Sequence, residues 1–590
     1  MALNTFLHFP PCSLSSFSCA VPKLPLAIFH KTMARQIRCP RASSQTSEPA
    51  LARRSANFQP TIWTNDFIQS LNSDYSSDVY VQRIEKLKKS VRQSLEEADG
   101  PLAQLELIDD LQRLGVGRLF EREINEMLNG IYMDYKETQA QWNLHFTSMY
   151  FRLLRARGFD VSPEIFSRFM DETGNFQTSI SNDPIGMLSL YEASYLCMPG
   201  ETTLDEAQAF TCKHLKYWKE KDVHPTIALQ IEHALELPIH WRMPRLDSRW
   251  YIKLYEEKEG TRPLLLELAK LDFNMVQSAH QTELRKVSRW WSEFGLAEKA
   301  SFARDRLMEG YQWAIGTVFE PEFGQCREVL AKLAQLIAVI DDMYDVYGSP
   351  DELELFTDAV DRWNINTIEG LPDYMKLCFL SIYNTTNQGG YEFLKDHGVD
   401  IIPHLRKAWA DYCKALRTEA RWVNSKYTPT LDEYLNNAYT SASGPLILIH
   451  AFFFSGQEPW KEAIDCFVSS NKDIIRLSAT IFRLTDDLET SAEEIERGDV
   501  PKSIQCYMHE AGASEAVSRA HIRGKISEVW RKMNKYLTAP ATRHKTFNAA
   551  AFNLARTSTC VYLYGDGYGV PNGKNKENIT SLTVEPIVLE

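Results

Sequence analysis

The stretch that decides the fold of this chain is LAQLIAVIDDMYD, residues 333–345, where an apolar run leads directly into three aspartates. Residues 333–340 contain no glycine or proline, so the run predicts a buried helix. Helical geometry places Asp341 and Asp345 about 40° apart, on nearly the same face. Repulsion and desolvation oppose such a cluster unless a cation binds it, and carboxylate oxygens suit Mg2+ or Mn2+. By itself, the motif is more often a solvated acidic helix end.

A second acidic array lies in RLTDDLETSAEE, residues 483–494. Asp486, Thr490 and Glu494 are spaced four residues apart, so a helix presents two carboxylates and a hydroxyl on one face. Three such oxygens can chelate one divalent ion and leave positions for water and phosphate. An amphipathic surface helix would explain this array alone, but the two arrays together predict a magnesium clamp for a diphosphate.

Four basic residues accompany the two acidic arrays. Arg304 and Arg306 precede the first array, Arg483 opens the second, and Lys502 follows it. Arginines can fork onto phosphate oxygens, and a lysine supplies a point charge for the same oxygens. Any one of these residues would pass for a surface cation. Beside two metal arrays they predict diphosphate binding.

The composition narrows the classes of partner. The chain has 590 residues, 44% of them hydrophobic, and a net charge of −13. Residues 1–50 contain five Lys/Arg and one acid, so the remainder carries about −17. Such an acidic body disfavours binding to nucleic acid or to an anionic membrane. No run approaches the roughly 18 apolar residues that a membrane-spanning helix needs.

The first 52 residues are typical of a targeting segment. Seven serines and five basic residues precede residue 50, and no acid occurs before Glu48. This composition predicts a plastid transit peptide and a mature protein in the chloroplast stroma. The eleven cysteines include no CxxC pair, so we expect reduced, mostly structural thiols.

The rest of the chain shows helical periodicity with little strand-like alternation, which predicts an all-α protein. The charged stretch 256–263 ends in Gly-Thr-Arg-Pro and precedes a long helical run. We therefore expect a boundary near residue 265, with one helical domain over 53–264 and a second over 265–590.

Taken together, these motifs make the chain resemble plant terpene synthases, most closely the angiosperm monoterpene synthases. The match spans essentially everything after the leader. Arg53-Arg54, eight residues and then Trp63 resembles the tandem-arginine motif of that group. Arg304-Asp305-Arg306 and the two acidic arrays match the diphosphate and metal motifs in order and spacing. The segment YLYGDG, residues 562–567, is similar to the C-terminal lid of the family.

The resemblance implies two helical domains: a C-terminal bundle that holds the active site and an N-terminal helical barrel without catalysis. It implies a monomer that acts on geranyl diphosphate with three Mg2+ or Mn2+ ions. Asp341 and Asp345 would bind two ions with Asp342 in a lesser or supporting role, and Asp486, Thr490 and Glu494 would bind the third. The residues expected to bind the substrate diphosphate, directly or through the ions, are Arg304, Asp341, Asp345, Arg483 and Asp486.

The expected chemistry is departure of a diphosphate leaving group, assisted by the ions and by Arg304, Arg306, Arg483 and Lys502. The allylic cation needs an apolar, aromatic pocket, and Trp313 is the candidate ring that faces it. Plain core packing explains Trp313 equally well. Expected lid residues are Arg53, Arg54, Tyr564 and Asp566, of which the arginines would fold over the mouth of the pocket.

Two departures from the family pattern stand in the second array. Position 486 is Asp where many relatives carry Asn, and position 489 is Glu where a small residue is usual. An added anion could alter the preference between Mg2+ and Mn2+, but we expect the Glu489 side chain to point to solvent.

Pocket size argues for a ten-carbon substrate. Ala334 and Ala338 lie on or near the metal-binding face of the helix, and their small side chains leave room. Phe482 narrows another wall of the pocket. Isoprene synthases resemble this chain in carrying Phe at that position. Those enzymes carry Phe at the position of Ala334 and Asn at that of Lys502, which argues against a five-carbon product.

Other classes remain open. An elongating prenyltransferase would need a second full DDxxD motif, which residues 486–490 lack. The leader and Arg53-Arg54 disfavour a sesquiterpene synthase, and the intact acidic arrays disfavour a non-catalytic helical binding protein. The identity of the terpene product depends on pocket shape and water access, and the sequence leaves it open.

Overall fold

The computed structural model describes residues 53–135, 142–221, 223–456, 464, 472–538, 545–570 and 573–589. In these ranges the regular structure is helical, and one isolated bridge between Met170 and Phe176 is the sole β-type pairing. The prediction of an all-α fold is confirmed. The chain from Arg53 onward forms one compact unit. The predicted transit peptide, residues 1–52, lies outside the described residues.

Nine α-helices precede the predicted domain boundary. They are α1 (Asn65–Ser70), α2 (Asp78–Glu96), α3 (Pro101–Arg113), α4 (Glu121–Tyr135), α5 (Leu144–Arg155), α6 (Pro184–Ser194), α7 (Thr202–Lys219), α8 (Pro225–Glu236) and α9 (Pro244–Glu257), counted over the described part of the chain.

The helices after that boundary surround the site. They are α10 (Pro263–Phe294), α11 (Leu296–Lys299), α12 (Leu307–Thr317), α13 (Gly324–Asp342), α14 (Pro350–Arg362), α15 (Asp373–His397), α16 (Ile402–Ser425), α17 (Leu431–Ser441), α18 (Gly444–Ser455), α19 (Lys472–Arg497), α20 (Ser503–Ala511), α21 (Glu515–Asn534), α22 (Lys545–Val561) and α23 (Gly573–Thr583).

The charged stretch 256–263 is the connection between α9 and α10, as the sequence predicts. Pro263 occupies the first turn of α10, where its missing N–H costs no hydrogen bond. The 32 residues of α10 pack against α1 and α2 as well as against α13. Because α10 contacts both halves of the chain, the division at residue 265 stays a prediction.

Close helix packing builds the walls of the site. Helix α12 packs against α13 and α22, and α18 packs against α13 and α19. A Cβ atom added at Gly316 would lie 2.2 Å from Oγ1 of Thr557, and one at Gly444 would lie 2.4 Å from Cβ of Ala479. Glycine at these two positions therefore lets the helix backbones approach more closely than any side chain would allow.

Helix α13 does not continue regularly through its aspartates. Met343–Tyr347 forms a π-helical turn, and Ser349 and Glu352 then form a reciprocal capping box at the start of α14. The angle of about 40° expected between Asp341 and Asp345 assumed α-helical geometry, which ends at Asp342. A π turn widens the helix and changes where its side chains point, and such turns are frequent at functional sites.

Two further expectations concern the membrane and the cysteines. Within the described residues, no helix combines the length and the apolar character that crossing a bilayer requires. The seven cysteines in this part of the chain are free thiols, and six of them are buried. They pack as small apolar residues, as the sequence predicts.

Candidate active site

The two acidic arrays line the same cavity. Asp341 lies in the last turn of α13 and Asp345 follows in the π-helical turn, while Asp486, Thr490 and Glu494 project from α19 on the opposite side. The spacing of four residues keeps all three α19 side chains on one face, as predicted. Five oxygen-bearing side chains from two helical walls therefore surround one space.

Arg304 is the cation of the first wall. Its backbone N–H donates to Oδ2 of Asp342 at 2.7 Å, and its Nη2 donates to Oδ2 of Asp341 at 3.0 Å. The same Nη2 lies 2.7 Å from Oδ1 of Asp342. Arg304 also lines the cavity, so its charge lies where a bound anion would need it.

Arg483 and Lys502 are the cations of the second wall, and both line the cavity. Arg483 forms ion pairs with Asp486 and with Asp487, the latter at 2.8 Å. Nζ of Lys502 lies 3.3 Å from Oε2 of Glu494. Asp487 itself is fully buried and accepts hydrogen bonds from Tyr434, so it holds Arg483 in place and does not face the cavity.

Asp345 differs from the other carboxylates of the cavity. Among the described residues, no hydrogen bond or ion pair reaches its carboxylate. Burial raises its pKa well above the usual range, and the charges of Asp341 and Asp499 raise it further, while Lys502 opposes them. A carboxylate in this environment needs a cation to be stable in its charged form.

These donors suit a hard divalent ion, since all are carboxylate or hydroxyl oxygens. In the arrangement described, no three acidic, imidazole or thiol side chains lie close enough to share one ion. The ion pairs with Arg304, Arg483 and Lys502 explain this spacing, because each draws a carboxylate toward a cation. Ion binding would therefore require these pairs to rearrange.

Asp342 is buried behind the cavity and does not line it. Burial raises its pKa to about 6, and the ion pair with Arg304 opposes that rise. Its carboxylate orients Arg304, and its expected role in metal binding, as a lesser or supporting residue, stays a prediction.

Arg306 is held by backbone carbonyl groups. Its side chain is fully buried, it does not line the cavity, and its guanidinium donates to the backbone carbonyls of Asp305, Gln59 and Gly569. These carbonyls hold its charge outside the cavity lining, and its expected part in assisting departure of the diphosphate stays a prediction.

The rest of the cavity wall is apolar and aromatic. Ala334 and Ala338 line it from α13, and Trp313 lines it from α12. The Trp313 ring lies 4.6 Å from the ring of Phe482, measured between centroids, and 6.1 Å from that of Tyr562. Trp313 thus faces the cavity and packs in the core at the same time.

Several lining residues carry no motif in the sequence. Glu419 of α16 is buried, accepts a hydrogen bond from Asn437 at 3.2 Å, and has a pKa raised by burial. Tyr412 donates to Asp341 at 3.5 Å. Helix α16 contains many other charged residues, so periodicity does not distinguish Glu419 from a surface glutamate.

The N-terminal segment, residues 53–63, contacts both acidic walls through its first two residues. Arg53 forms two hydrogen bonds of 2.8 Å with Glu352 and donates to the carbonyl of Tyr347, the last residue of the π-helical turn. Arg54 donates to the carbonyl of Gly498 at 3.4 Å, next to the end of α19. The two arginines therefore connect to the ends of both acidic walls.

Trp63 marks the other end of that segment. Its indole N–H donates to Oε1 of the fully buried Glu309 at 3.1 Å, and burial raises the pKa of Glu309 to about 7.

The two residues predicted for the C-terminal lid, Tyr564 and Asp566, differ in whether they line the cavity. Asp566 lines the cavity and accepts hydrogen bonds from the backbone N–H groups of Tyr568 and Gly569. Tyr564 does not line it: its side chain is 53% exposed, and its hydroxyl donates to Glu236. Tyr564 therefore anchors the lid segment to α8 from outside. Glu489, as expected, is exposed.

Comparison with known proteins identifies the family. The model named "Terpene synthase, N-terminal domain" matches residues 62–235, and "Terpene synthase family, metal binding domain" matches residues 292–532. A (-)-alpha-terpineol synthase from Vitis vinifera is 51% identical over 92% of each chain. The chloroplastic myrcene synthase of Quercus ilex is 47% identical over the whole of both chains.

Solved structures agree. A crystal structure of limonene synthase with 2-fluorolinalyl diphosphate has a TM-score of 0.89 and 42% identity, over 91% of this chain and 100% of that one. Isoprene synthase from grey poplar leaves, in complex with three Mg2+ ions and dimethylallyl-S-thiolodiphosphate, has a TM-score of 0.82 and 45% identity, over 90% and 99%. The chain belongs to the terpene synthase family, as a lyase of the monoterpene synthase class.

The contrast between two neighbouring aspartates gives a stability prediction. Asp345→Asn removes the free-energy cost of burying an ionisable carboxyl group among other carboxylates, so we expect the metal-free protein to melt a few degrees higher. Asp342→Asn leaves the partly buried Arg304 without its full counter-charge, so we expect a lower melting temperature. Calorimetry of the two variants in the presence of EDTA measures both. A lower melting temperature for Asp345→Asn would contradict this account of the site.

Proposed function

We propose that this enzyme converts geranyl diphosphate into an acyclic or cyclic ten-carbon terpene. One observation carries the proposal: two acidic arrays and three cations share a cavity whose remaining wall is apolar and aromatic. The arrays and cations suit the diphosphate end of the substrate, and the apolar wall suits the hydrocarbon end. The terpineol, myrcene and limonene synthases to which the chain is similar support a ten-carbon substrate.

Divalent ions, Mg2+ or Mn2+, would be held by Asp341 and Asp345 on one wall and by Asp486, Thr490 and Glu494 on the other. When bound, such ions supply Lewis-acid stabilisation of the negative charge on a leaving diphosphate. The three Mg2+ ions in the isoprene synthase complex support the same number here. Glu419 lies near Asp345 and Lys502, so it adds negative charge to the first wall.

Arg304, Arg483 and Lys502 would bind the diphosphate oxygens directly. Each is already held in the cavity by a carboxylate, so its position is fixed before substrate arrives. Preorganised cations stabilise charge that develops in the transition state without the cost of reorienting at that moment. Ions held by the carboxylates would leave these side chains free to pair with phosphate.

The apolar wall would protect the allylic cation. An indole face attracts a cation through its quadrupole, and Trp313 presents such a ring to the cavity. Water must be kept from this cation until the step that sets the product. Arg53 and Arg54, at the ends of the acidic walls, and Asp566, on the cavity surface, would fasten the segments that close the mouth.

The proposed location is the plastid stroma, and the proposed state is a monomer. The composition of residues 1–52 and the chloroplastic myrcene synthase relative support the location.

Incubation of purified protein with geranyl diphosphate and Mg2+ tests the function. We expect ten-carbon hydrocarbons or alcohols by gas chromatography and none after addition of EDTA. Glu494→Ala should lower the rate by about two orders of magnitude or more, since it removes an ion ligand. Glu489→Gln, an exposed position on the same helix, is the matched control and should retain full activity. Longer diphosphates formed with isopentenyl diphosphate would instead identify an elongating prenyltransferase.

Chain-length preference gives a second prediction. Ala334→Phe places a ring in the cavity wall, so we expect kcat/KM for geranyl diphosphate to fall about tenfold or more relative to dimethylallyl diphosphate. Ala516→Phe, at an exposed position of α21, is the control for adding a phenyl ring. An unchanged ratio in the Ala334 variant would show that this wall does not contact the substrate chain.

A further inference from the structure

Arg306, which does not line the cavity, lies at a junction between two segments that are far apart in the sequence. Nη2 of Arg306 donates to the carbonyl of Gln59 at 2.9 Å and to the carbonyl of Gly569 at 2.8 Å. Gln59 belongs to the segment that begins with Arg53, and Gly569 belongs to the loop whose Asp566 and Tyr568 line the cavity. A single nitrogen atom thus joins the N-terminal segment to the C-terminal loop.

The backbone around Arg306 is itself fixed to a cavity wall. The N–H of Arg306 donates to Oε1 of Gln335 at 2.9 Å, and Nε2 of Gln335 donates to the carbonyl of Arg304 at 3.1 Å. Gln335 belongs to α13 and is fully buried. The junction therefore cannot move independently of the helix that carries the first acidic array.

Arg304 makes parallel contacts on the cavity side. Its guanidinium carbon lies 4.8 Å from the ring centroid of Phe58 and 5.9 Å from that of Tyr568. Phe58 and Tyr568 are the immediate chain neighbours of Gln59 and Gly569. The two arginines that flank Asp305 thus contact the same two segments, one through aromatic rings and the other through backbone carbonyls.

We propose that Arg306 is a positioning residue that fastens the N-terminal segment and the C-terminal loop to each other, so that the two close over the cavity as one unit. Its side chain is fully buried and its hydrogen bonds are charge-assisted, which makes them strong. Both carbonyls help to fix the position of this one nitrogen, so release of either segment leaves the arginine less firmly placed to hold the other. The proposal deepens the proposed function by dividing the roles of Arg304 and Arg306, with Arg304 alone available to the diphosphate.

Hydrogen–deuterium exchange of the full chain, with Mg2+ and inorganic pyrophosphate as the probe, tests this role without relying on catalysis. Arg306→Lys keeps the charge but ends one bond short of Nη2. We expect exchange in residues 53–60 and 565–570 to accelerate about tenfold, which corresponds to the loss of one strong hydrogen bond. Exchange elsewhere should stay unchanged, which separates loss of the junction from general destabilisation.

Arg249 offers a matched control. Its Nη1 also donates to two backbone carbonyls, but those of Ser581 and Glu585 lie outside both the N-terminal segment and the loop 565–570. Arg249→Lys should leave exchange in residues 53–60 unchanged.

A second variant keeps the proposal testable if Arg306→Lys does not fold. A chain that begins at Pro60 leaves Arg306 intact but removes Gln59, and we expect it to accelerate exchange in residues 565–570. Unchanged exchange there would overturn the proposal. So would an Arg306→Lys protein whose exchange is native but whose inhibition by pyrophosphate is weakened, because that result would make Arg306 a diphosphate contact. Failure of either kind leaves the proposed terpene synthase activity untouched, since product formation from geranyl diphosphate tests it separately.

Discussion

The structure depends on holding two sets of like charges across one buried cavity. Carboxylates repel one another at short range, and burial increases the repulsion because little water screens it. Here each acidic wall has its own cations: Arg304 on the α13 side, and Arg483 and Lys502 on the α19 side. These ion pairs let the walls face each other before any ion or substrate binds.

The same pairs imply an exchange of partners when substrate arrives. A diphosphate with divalent ions brings both kinds of charge, so carboxylates can pass from arginine to metal while arginines pass from carboxylate to phosphate. Asp345, which has no cation partner among the described residues, is the position where the first ion gains most. The proposed catalysis therefore uses side chains that already stabilise the two walls, but in new pairs.

Tight helix packing supports this arrangement from behind. Gly316 and Gly444 allow α12 and α18 to approach their neighbours closely, and these contacts fix the helices that carry the cavity wall. The N-terminal segment adds connections at the ends of both walls through Arg53 and Arg54. The ion pairs, the close helix packing and the contacts of the N-terminal segment therefore all hold the helices that line the cavity.

Features that depend on residues close together in the chain could be predicted from the sequence, and features that depend on distant contacts could not. The spacing of Asp486, Thr490 and Glu494 is local to one helix, so periodicity alone placed them on a common face. The apolar run before Asp341 likewise predicted a core helix. The π-helical turn at Asp345 was not predictable, because the helix gives no sequence signal for it. Arg306 and Tyr564 depend on contacts with residues more than 200 positions away, and Glu419 lies in a helix rich in other charges.

The most direct test of the central claim is to locate ions in the cavity. Crystals grown with Mn2+ and inorganic pyrophosphate would give anomalous scattering from each bound ion. The account predicts peaks within coordination distance of Asp341 and Asp345 on one wall and of Asp486, Thr490 and Glu494 on the other, with the pyrophosphate between them. Pyrophosphate bound by the arginines with no Mn2+ peak on either wall would contradict it.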